Sequence, residues 1–497
     1  MEIKSQPEIT PGEFTRPHAV DSTVLVAYGT AQIVISRGCF YAIGFLASMI
    51  LARGLGPANY GVYGLVMSVL LWIEQTSRST IAQAVVILIP RENQNRIALQ
   101  RTAVFLNALL YIFLFVFLWI SAPLLSELFN LDGGAHLFRL AALDLPFFGM
   151  YVVYRGLLQG HQDFLSISIA EVLYSVIKLV GVLFLVVLWF SIPAALIVNI
   201  LASIAAMLFL LSRISWGTFL PTYTFIRPLI RLALPLGVYM IIHQGLGNLD
   251  LWCVNALTPG KDAIGVGLYV AARTVAFVPS FIFIGVSDAI LPSLSRAIGE
   301  DNGVLSQQHI QGAVRFLWMT ALPITLLFQL TGSELMTFLY SPAYGEGSNY
   351  LSVLVWAALL WAFVALFASI LTARGETYLC AAVLFLLIPV SVSFNTFLIP
   401  AYKIVGAAYS SVFTALIGTT VLGFLVYQRF GPFIKLHTVL KTLFAALLMG
   451  AMASQFQPTG ILLAISYLGY LAVYGLVLIA LGEVRQDDLC FLVAPRV

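Results

Sequence analysis

Apolar runs of about 20 residues recur along the chain from Val24 to Leu481, and they constrain its fold more than any other feature. A helix of about 20 residues is long enough to cross a hydrocarbon layer about 30 Å thick. Hydrophobic residues make up 60% of the chain and charged residues 9%, whereas soluble domains contain about 45–50% and about 25%. Runs such as LLYIFLFVFLWI, residues 109–120, lack the polar–apolar alternation of membrane β-strands. The sequence therefore predicts an all-α polytopic membrane protein.

The apolar runs predict about 14 transmembrane helices joined by short loops. The predicted spans are residues 24–50, 60–88, 102–121, 138–158, 165–188, 192–212, 232–256, 264–290, 312–332, 349–372, 377–397, 404–427, 438–454 and 460–481. Spans 1 to 6 form a predicted N-lobe, residues 22–213, and spans 7 to 12 a predicted C-lobe, residues 228–428. Spans 13 and 14 occupy residues 436–482, and residues 1–21 and 483–497 are predicted tails.

The Lys and Arg residues orient these spans. Of the 25 in the chain, 17 fall in tails, loops or span ends on the amino-terminal side, and three, Arg53, Lys261 and Lys403, fall on the opposite side. Cytoplasmic loops of membrane proteins collect Lys and Arg. We therefore expect a multi-pass protein of the plasma or inner membrane with both termini in the cytoplasm.

The segment LARGLGPANYGVYG, residues 51–64, predicts an outer hairpin between spans 1 and 2. A glycine in the left-handed conformation would end span 1, and Pro57 suits the first turn of span 2. Gly61 and Gly64 would let a neighbouring backbone approach closely.

A similar segment, ALTPGKDAIGVGLYV at 256–270, follows 204 residues later, so that Gly56 and Gly61 match Gly260 and Gly265. Gly160 after span 4 likewise matches Gly375 after span 10. These matches predict two duplicated six-span lobes related by a pseudo-two-fold axis along the membrane normal.

Ionisable residues inside the predicted spans mark candidate sites, because a charge in hydrocarbon is costly unless it faces water or a partner. Four cations lie near span centres: Arg37, Arg78, Lys178 and Arg273. Few acids lie at the same depth, so the four predict a central cavity that attracts an anion. A phosphate or pyrophosphate group is the obvious anion in a membrane, and arginine binds it through two parallel hydrogen bonds.

Glu74, His243 and Asp250 are candidates for binding a proton or cation during transport. Glu74 also lies four residues before Arg78, which fits an ion pair within one helix, and His243 also fits a packed polar group. Four other charged residues lie near span ends, where side chains reach the interface, and are interpreted as interfacial: Arg139, Asp144, Glu171 and Asp288.

Several motifs of enzymes are missing from the sequence. It contains no G-x-x-x-x-G-K-[ST] phosphate loop, no metal-ligand spacing and no Cys or Ser nucleophile with a base nearby. We therefore expect no cofactor, no metal and no enzymatic activity. The net charge of +3 is too small to indicate a nucleic-acid partner.

The 14 spans, the six-plus-six repeat, LARGLGPANYGVYGL after span 1 and LIPAYKIVGAAYSSV at 398–412 together resemble the polysaccharide transporter family. This family includes the O-antigen and exopolysaccharide flippases within the multidrug/oligosaccharidyl-lipid/polysaccharide exporter superfamily. The resemblance covers essentially the whole chain, and its motifs are structural.

The resemblance implies a two-lobed transporter that opens a cationic cavity alternately to each side of the membrane. Its implied substrate is a polyprenyl-pyrophosphate-linked oligosaccharide, and its implied partners are membrane lipids, H⁺ or Na⁺, and a polysaccharide polymerase or chain-length regulator. Three alternatives stay open: a lipid II flippase, a cation-coupled multidrug exporter, and a membrane polysaccharide polymerase or ligase. A basic cavity disfavours the drug exporter, and short outer loops disfavour the polymerase.

Overall fold

The computed structural model describes most of the chain, and every element in the described part is helical. It covers residues 22–92, 95–186, 188, 191–214, 222–258, 262–280, 294–300, 302–456 and 458–483, with side chains from residue 38 onward apart from residue 186.

The helices fall into three groups along the chain. The first group is α1 (Ser22–Arg78), α2 (Ile81–Leu88), α3 (Arg96–Leu128), α4 (Ala135–Ala142), α5 (Asp144–Gly160), α6 (Phe164–Gly181) and α7 (Ile192–Leu211). The second group is α8 (Ile226–Leu257), α9 (Ala263–Phe277), α10 (Gly303–Leu330), α11 (Gly332–Leu339), α12 (Ser348–Ala373), α13 (Thr377–Tyr402) and α14 (Ile404–Phe430). The last group is α15 (Leu436–Gln455) and α16 (Ile461–Ala480).

These helices confirm an all-α polytopic membrane fold. Within the described residues, 12 helical segments are long and apolar enough to cross a membrane. The first of them, Gly38–Arg91, contains the second half of predicted span 1 and all of predicted span 2, and the shorter helix Ala263–Phe277 begins predicted span 8. The rest of span 8, including Asp288, lies outside the described residues.

Helix α1 reverses direction at Gly56, as the sequence predicts. Gly56 adopts φ 70° and ψ 168°, and Pro57 follows it. The Ser48 and Tyr60 hydroxyl oxygens, 12 residues apart, are 2.7 Å from one another, whereas 12 residues of straight helix rise about 18 Å. The two arms of α1 are therefore antiparallel. We call the side of the membrane on which this turn lies the hairpin face.

The two repeated segments pack directly against each other at the hairpin face. A Cβ atom added to Gly61 would lie 2.7 Å from the backbone nitrogen of Gly267, and one added to Gly267 would lie 1.7 Å from the carbonyl oxygen of Pro57. A Cβ atom added to Gly64 would lie 2.5 Å from Val270. The backbones of α1 and α9 thus touch where no side chain fits. We call this contact, made by Pro57, Gly61, Gly64, Gly267 and Val270, the seam.

Further contacts fix the α1 turn to the C-lobe. Arg53 donates hydrogen bonds to the carbonyl oxygens of Phe338, at 2.5 Å, and Leu339, at 3.0 Å. The Tyr344 hydroxyl donates to the carbonyl oxygen of Ala52 at 2.8 Å. The hairpin face therefore joins the two lobes through backbone and side-chain contacts together.

The second pair of matched glycines does not share one conformation. Gly375 has φ +88° in the turn after α12, but Gly160 lies in the last turn of α5, where an added Cβ would be 2.9 Å from Ile89. Gln162, with φ 64°, takes the left-handed position after α5. The two matched glycines therefore have different local roles, because Gly160 serves packing and Gly375 a turn. Gly260 lies outside the described residues.

We expect Gly267→Ala to lower the thermal unfolding midpoint of the purified protein, because its methyl group would overlap the Pro57 carbonyl. Overpacking of this kind costs about 1–3 kcal/mol. Gly475→Ala in α16 is the matched control, since an added Cβ there meets no atom within 4 Å. A midpoint for Gly267→Ala at or above that of the wild type would contradict the seam.

Candidate functional site

A polar cavity lies between the two lobes, in the half of the membrane opposite the hairpin face. Its volume is about 420 Å³, and its walls come from α1, α2, α5 and α6 on one side and from α8 on the other. Four glutamines, two arginines and one glutamate line it: Gln75, Gln83, Gln159, Gln244, Arg78, Arg155 and Glu171. Rings of Phe40, Tyr41 and Tyr151 complete the wall. The cavity therefore combines charge, amide groups and aromatic surface.

Of the predicted site cations whose side chains the structure describes, Arg78 lines this cavity. It ends α1, where a positive charge complements the helix dipole. Its guanidinium lies 5.5 Å from the centre of the Phe148 ring, and its buried Nε has no hydrogen-bond partner among the described residues. A buried guanidinium donor without an acceptor is costly. An anion in the cavity would supply that acceptor.

Arg155 is a second cavity arginine, and it is one of the 17 Lys and Arg residues that the sequence places on the amino-terminal side of the membrane. Its Nε and Nη2 donate to Glu171 Oε1 at 3.0 Å and 2.9 Å, and its Nη1 donates to Gln159 at 3.2 Å. Arg155 and Glu171 flank the short turn between α5 and α6. In a helical hairpin, residues at similar distances before and after the turn become neighbours. The positions of Arg155 and Glu171 on either side of the turn could therefore have predicted their ion pair from the sequence. Glu171, interpreted as interfacial, holds this arginine in the cavity wall.

Lys178 and Glu74 lie inside the N-lobe in a buried network. Lys178 Nζ donates to Asn199 Oδ1 at 2.8 Å, and Asn199 Nδ2 donates to Asp144 Oδ2 at 2.8 Å. The Tyr174 hydroxyl also donates to Asn199 Oδ1, at 3.1 Å. The Glu74 carboxyl group is within hydrogen-bonding reach of Asp144. The network joins α1, α5, α6 and α7, and it places Lys178 beside two acids.

Arg273 and Asp250 meet in the C-lobe. The Tyr269 hydroxyl donates to Asp250 Oδ2 at 2.7 Å, and Arg273 Nε lies 3.8 Å from the same oxygen. Arg273 also donates to the Gly247 carbonyl oxygen and to Asn248 Oδ1, the latter at 3.2 Å. These bonds tie α9 to α8. The structure therefore places Arg273 at the contact of two helices.

The other two candidates are His243 and Arg37. His243 stacks on Tyr239 with ring centres 5.9 Å apart, and its buried Nδ1 has no hydrogen-bond partner among the described residues. The Arg37 side chain lies outside the described residues. The structure thus brings Glu74 and Lys178 together, and Asp250 and Arg273 together, and it leaves Arg78 at the cavity.

Comparison with known proteins identifies the family. The family model described as "Polysaccharide biosynthesis protein" matches residues 26–298, more than half of the chain. The chain belongs to this family. A protein of Methanocaldococcus jannaschii named only as an uncharacterized membrane protein is 25% identical over 193 residues. That alignment covers 38% of each of the two chains, so it spans less than half of the relative's length.

Solved structures of transporters share the fold of this family member. The lipid II flippase MurJ in an inward closed conformation has a TM-score of 0.76 and 14% identity, covering 89% of this chain and 97% of that one. An inward-facing multidrug resistance MATE transporter of the MOP superfamily has a TM-score of 0.66 and 18% identity, covering 78% and 94%. A MOP superfamily transporter of Pyrococcus furiosus, whose binding pocket is described as having reverse polarity, has a TM-score of 0.55 and 17% identity, covering 80% and 96%. The fold is that of MOP superfamily transporters.

Proposed function

We propose that the protein is a flippase for a polyprenyl-pyrophosphate-linked oligosaccharide, the repeat unit of an O-antigen or exopolysaccharide. It carries this substrate from the inner to the outer leaflet of the plasma or inner membrane, with both termini in the cytoplasm. The observation that carries the proposal is the cavity between the lobes, in which the unpaired Nε of Arg78 lies among glutamines and aromatic rings.

The cavity chemistry matches the two polar parts of that substrate. Arg78 and Arg155 offer guanidinium groups to a pyrophosphate, which arginine binds through paired, charge-assisted hydrogen bonds. Glutamine side chains both donate and accept hydrogen bonds, so Gln75, Gln83 and Gln244 suit sugar hydroxyl groups. A cationic drug would instead meet two arginines against one glutamate, so a multidrug exporter is disfavoured.

An apolar groove on the other side of the same helices suits the lipid tail. Its volume is about 370 Å³, and it lies between α1, α2, α3 and α8. On α2, Ala82 faces the cavity and Ile81 faces the groove; on α8, Gln244 faces the cavity and Ile241 the groove. The headgroup in the cavity and the tail in the groove would therefore bind on opposite faces of the same helices, α2 and α8. This supports a lipid-linked cargo over a soluble one.

The seam and the cavity together support alternating access. The lobes touch backbone to backbone at the hairpin face, and the polar cavity lies in the other half of the membrane. This arrangement corresponds to a state closed toward the outside. Opening the seam while the opposite ends approach would present the same cavity to the outer leaflet.

Cation coupling is assigned to the buried acids. Glu74 and Asp144 share one lysine, Lys178, and two carboxyl groups in contact are stable when one proton lies between them. Gain or loss of that proton, or of Na⁺, would change the charge next to Arg78. His243 and Asp250 are the corresponding candidates in the C-lobe. A polymerase or chain-length regulator would receive the delivered repeat unit outside the membrane.

Two alternatives differ in measurable ways. A lipid II flippase would carry a peptidoglycan precursor with the same pyrophosphate, so only the glycan distinguishes it. A polymerase or ligase would form glycosidic bonds with purified lipid-linked sugars. Assay of the purified protein with both lipid classes separates these functions.

We expect Arg78→Ala to reduce flipping of pyrophosphate-linked oligosaccharide in proteoliposomes by about tenfold to a hundredfold, because a hydrogen bond to a charged group contributes about 1.5–3 kcal/mol. Arg78→Lys should lose part of this activity, since lysine lacks the planar fork. Arg273→Ala should also reduce flipping, together with thermal stability. Arg227→Ala, which removes an exposed cation at the start of α8, is the control. Wild-type flipping by Arg78→Ala in correctly inserted protein would rule out the cationic cavity.

We expect flipping by the wild type to respond to a pH gradient across the liposome and flipping by Glu74→Gln to lose that response. The amide keeps the shape of a protonated carboxyl group and cannot release a proton. Glu127→Gln, at an exposed position of α3, is the matched control. If Glu74→Gln responds to the gradient as the wild type does, Glu74 is not the coupling group.

A further inference from the structure

An apolar groove runs along the outside of the C-lobe, away from the cavity between the lobes. Its volume is about 440 Å³, and it lies between α10, α12 and α14 and reaches the loop before α15. Trp318 and Phe363 form its floor, and Phe424 and Tyr427, which are 57% and 54% exposed, form its rim. The groove is therefore open to the surrounding membrane.

A charged pocket adjoins the end of this groove. Its volume is about 310 Å³, and Phe433 and Ile434 line both the pocket and the groove. In the described part of the chain, the charged residues of the pocket are Arg315 from α10, Lys435 just before α15, Lys441 in α15, and Glu483 after α16. The pocket lies on the side opposite the hairpin face, because α14 begins with Ile404 beside Gly265 at that face and ends at Phe430, just before the pocket residues. Apolar groove and charged pocket are thus continuous at one surface of the membrane.

The pocket keeps a surplus of positive charge. Glu483 is 4% exposed and accepts a hydrogen bond from Thr438 at 2.6 Å, with Lys441 Nζ at 3.3 Å and Arg315 Nε at 3.4 Å. Burial raises the pKa of Glu483, but the hydrogen bonds from Thr438 and Lys441 and the charges of Arg315 and Lys441 outweigh burial, so its pKa lies below the ordinary value. Glu483 is therefore ionised at neutral pH and offsets one of three cations.

The loop that joins groove and pocket is held in place. Gln311 Nε2 donates to the Pro432 carbonyl oxygen at 2.9 Å, and the Phe433 ring packs 5.2 Å from that of Phe367. Lys435, the residue before α15, is exposed and lines the pocket. Its ammonium group is therefore available to a ligand in the pocket.

We propose that the groove and pocket bind one anionic glycerophospholipid from the leaflet opposite the hairpin face, with an acyl chain in the groove and the phosphate beside Lys435, Lys441 and Arg315. Charge complementarity selects this occupant. A zwitterionic lipid would bring the positive charge of its own headgroup into a pocket that already carries a positive surplus, whereas an anionic lipid would not. The helices that complete the pocket, α15 and α16, lie outside the six-plus-six repeat. Lipid binding thus gives this extension a function independent of the cavity.

The test titrates phosphatidylglycerol and phosphatidylcholine onto the purified full-length protein in detergent and counts bound lipid by native mass spectrometry. We expect the wild type to prefer phosphatidylglycerol and Lys435→Gln to weaken its binding about fivefold. Arg227→Gln, which removes an exposed cation outside the pocket, should bind as the wild type does. Equal effects of Lys435→Gln and Arg227→Gln, or equal binding of the two lipids, would overturn the proposal.

A second variant tests the groove. Thr420 lines the groove and is exposed, so Thr420→Trp should fill the groove without disturbing the lobe core. We expect Thr420→Trp to weaken phosphatidylglycerol binding while leaving binding of glycerol phosphate unchanged. Unchanged lipid binding by Thr420→Trp would show that the pocket binds a free phosphate group only. Displacement of phosphatidylglycerol by an equal amount of polyprenyl phosphate would assign the groove to the substrate lipid and also overturn the proposal.

Discussion

The close contact between α1 and α9 is the constraint on which the rest of the structure depends. Pro57, Gly61 and Gly267 bring two backbones together where even a methyl group would overlap. Small residues allow such approach between membrane helices, and packing there replaces the hydrophobic effect that drives association in water. With the lobes joined at the hairpin face, space for a polar cavity remains in the other half of the membrane.

The buried charges divide into two kinds. Lys178 has a partner in Asn199 beside Glu74 and Asp144, and Arg273 has partners in Asp250, Gly247 and Asn248. Both groups satisfy the requirement that charges inside a membrane be paired or hydrated. Arg78 and Arg155 instead line the open cavity; Arg155 is paired with Glu171, so the surplus positive charge there comes from Arg78. Of these four described cations, two thus stabilise the lobes and two line the site.

Local features were the ones that the sequence predicted well. The reversal at Gly56 depends on a glycine followed by proline, and the spans depend on apolar runs, so both can be read without tertiary information. The residues that line the cavity were harder to predict. A sequence shows how far a residue lies along its span, but it does not show which way the helix is rotated about its axis. Lys178 and Arg78 were both predicted near span centres, yet Lys178 lies in a buried network of the N-lobe and Arg78 lines the cavity against α8. Arg155 was missed as a cavity residue for the same reason, since its place in the cavity wall depends on its contact with Glu171 of the next helix.

Distances across the seam test the alternating-access account most directly. Spin labels at Asn59→Cys and Ile264→Cys, two exposed positions that flank the seam, would report its opening in protein whose four native cysteines are replaced by serine. The account predicts a short distance in the resting protein and a second, longer distance when lipid-linked oligosaccharide is added under flipping conditions. A single short distance that persists while the same sample flips substrate would contradict it.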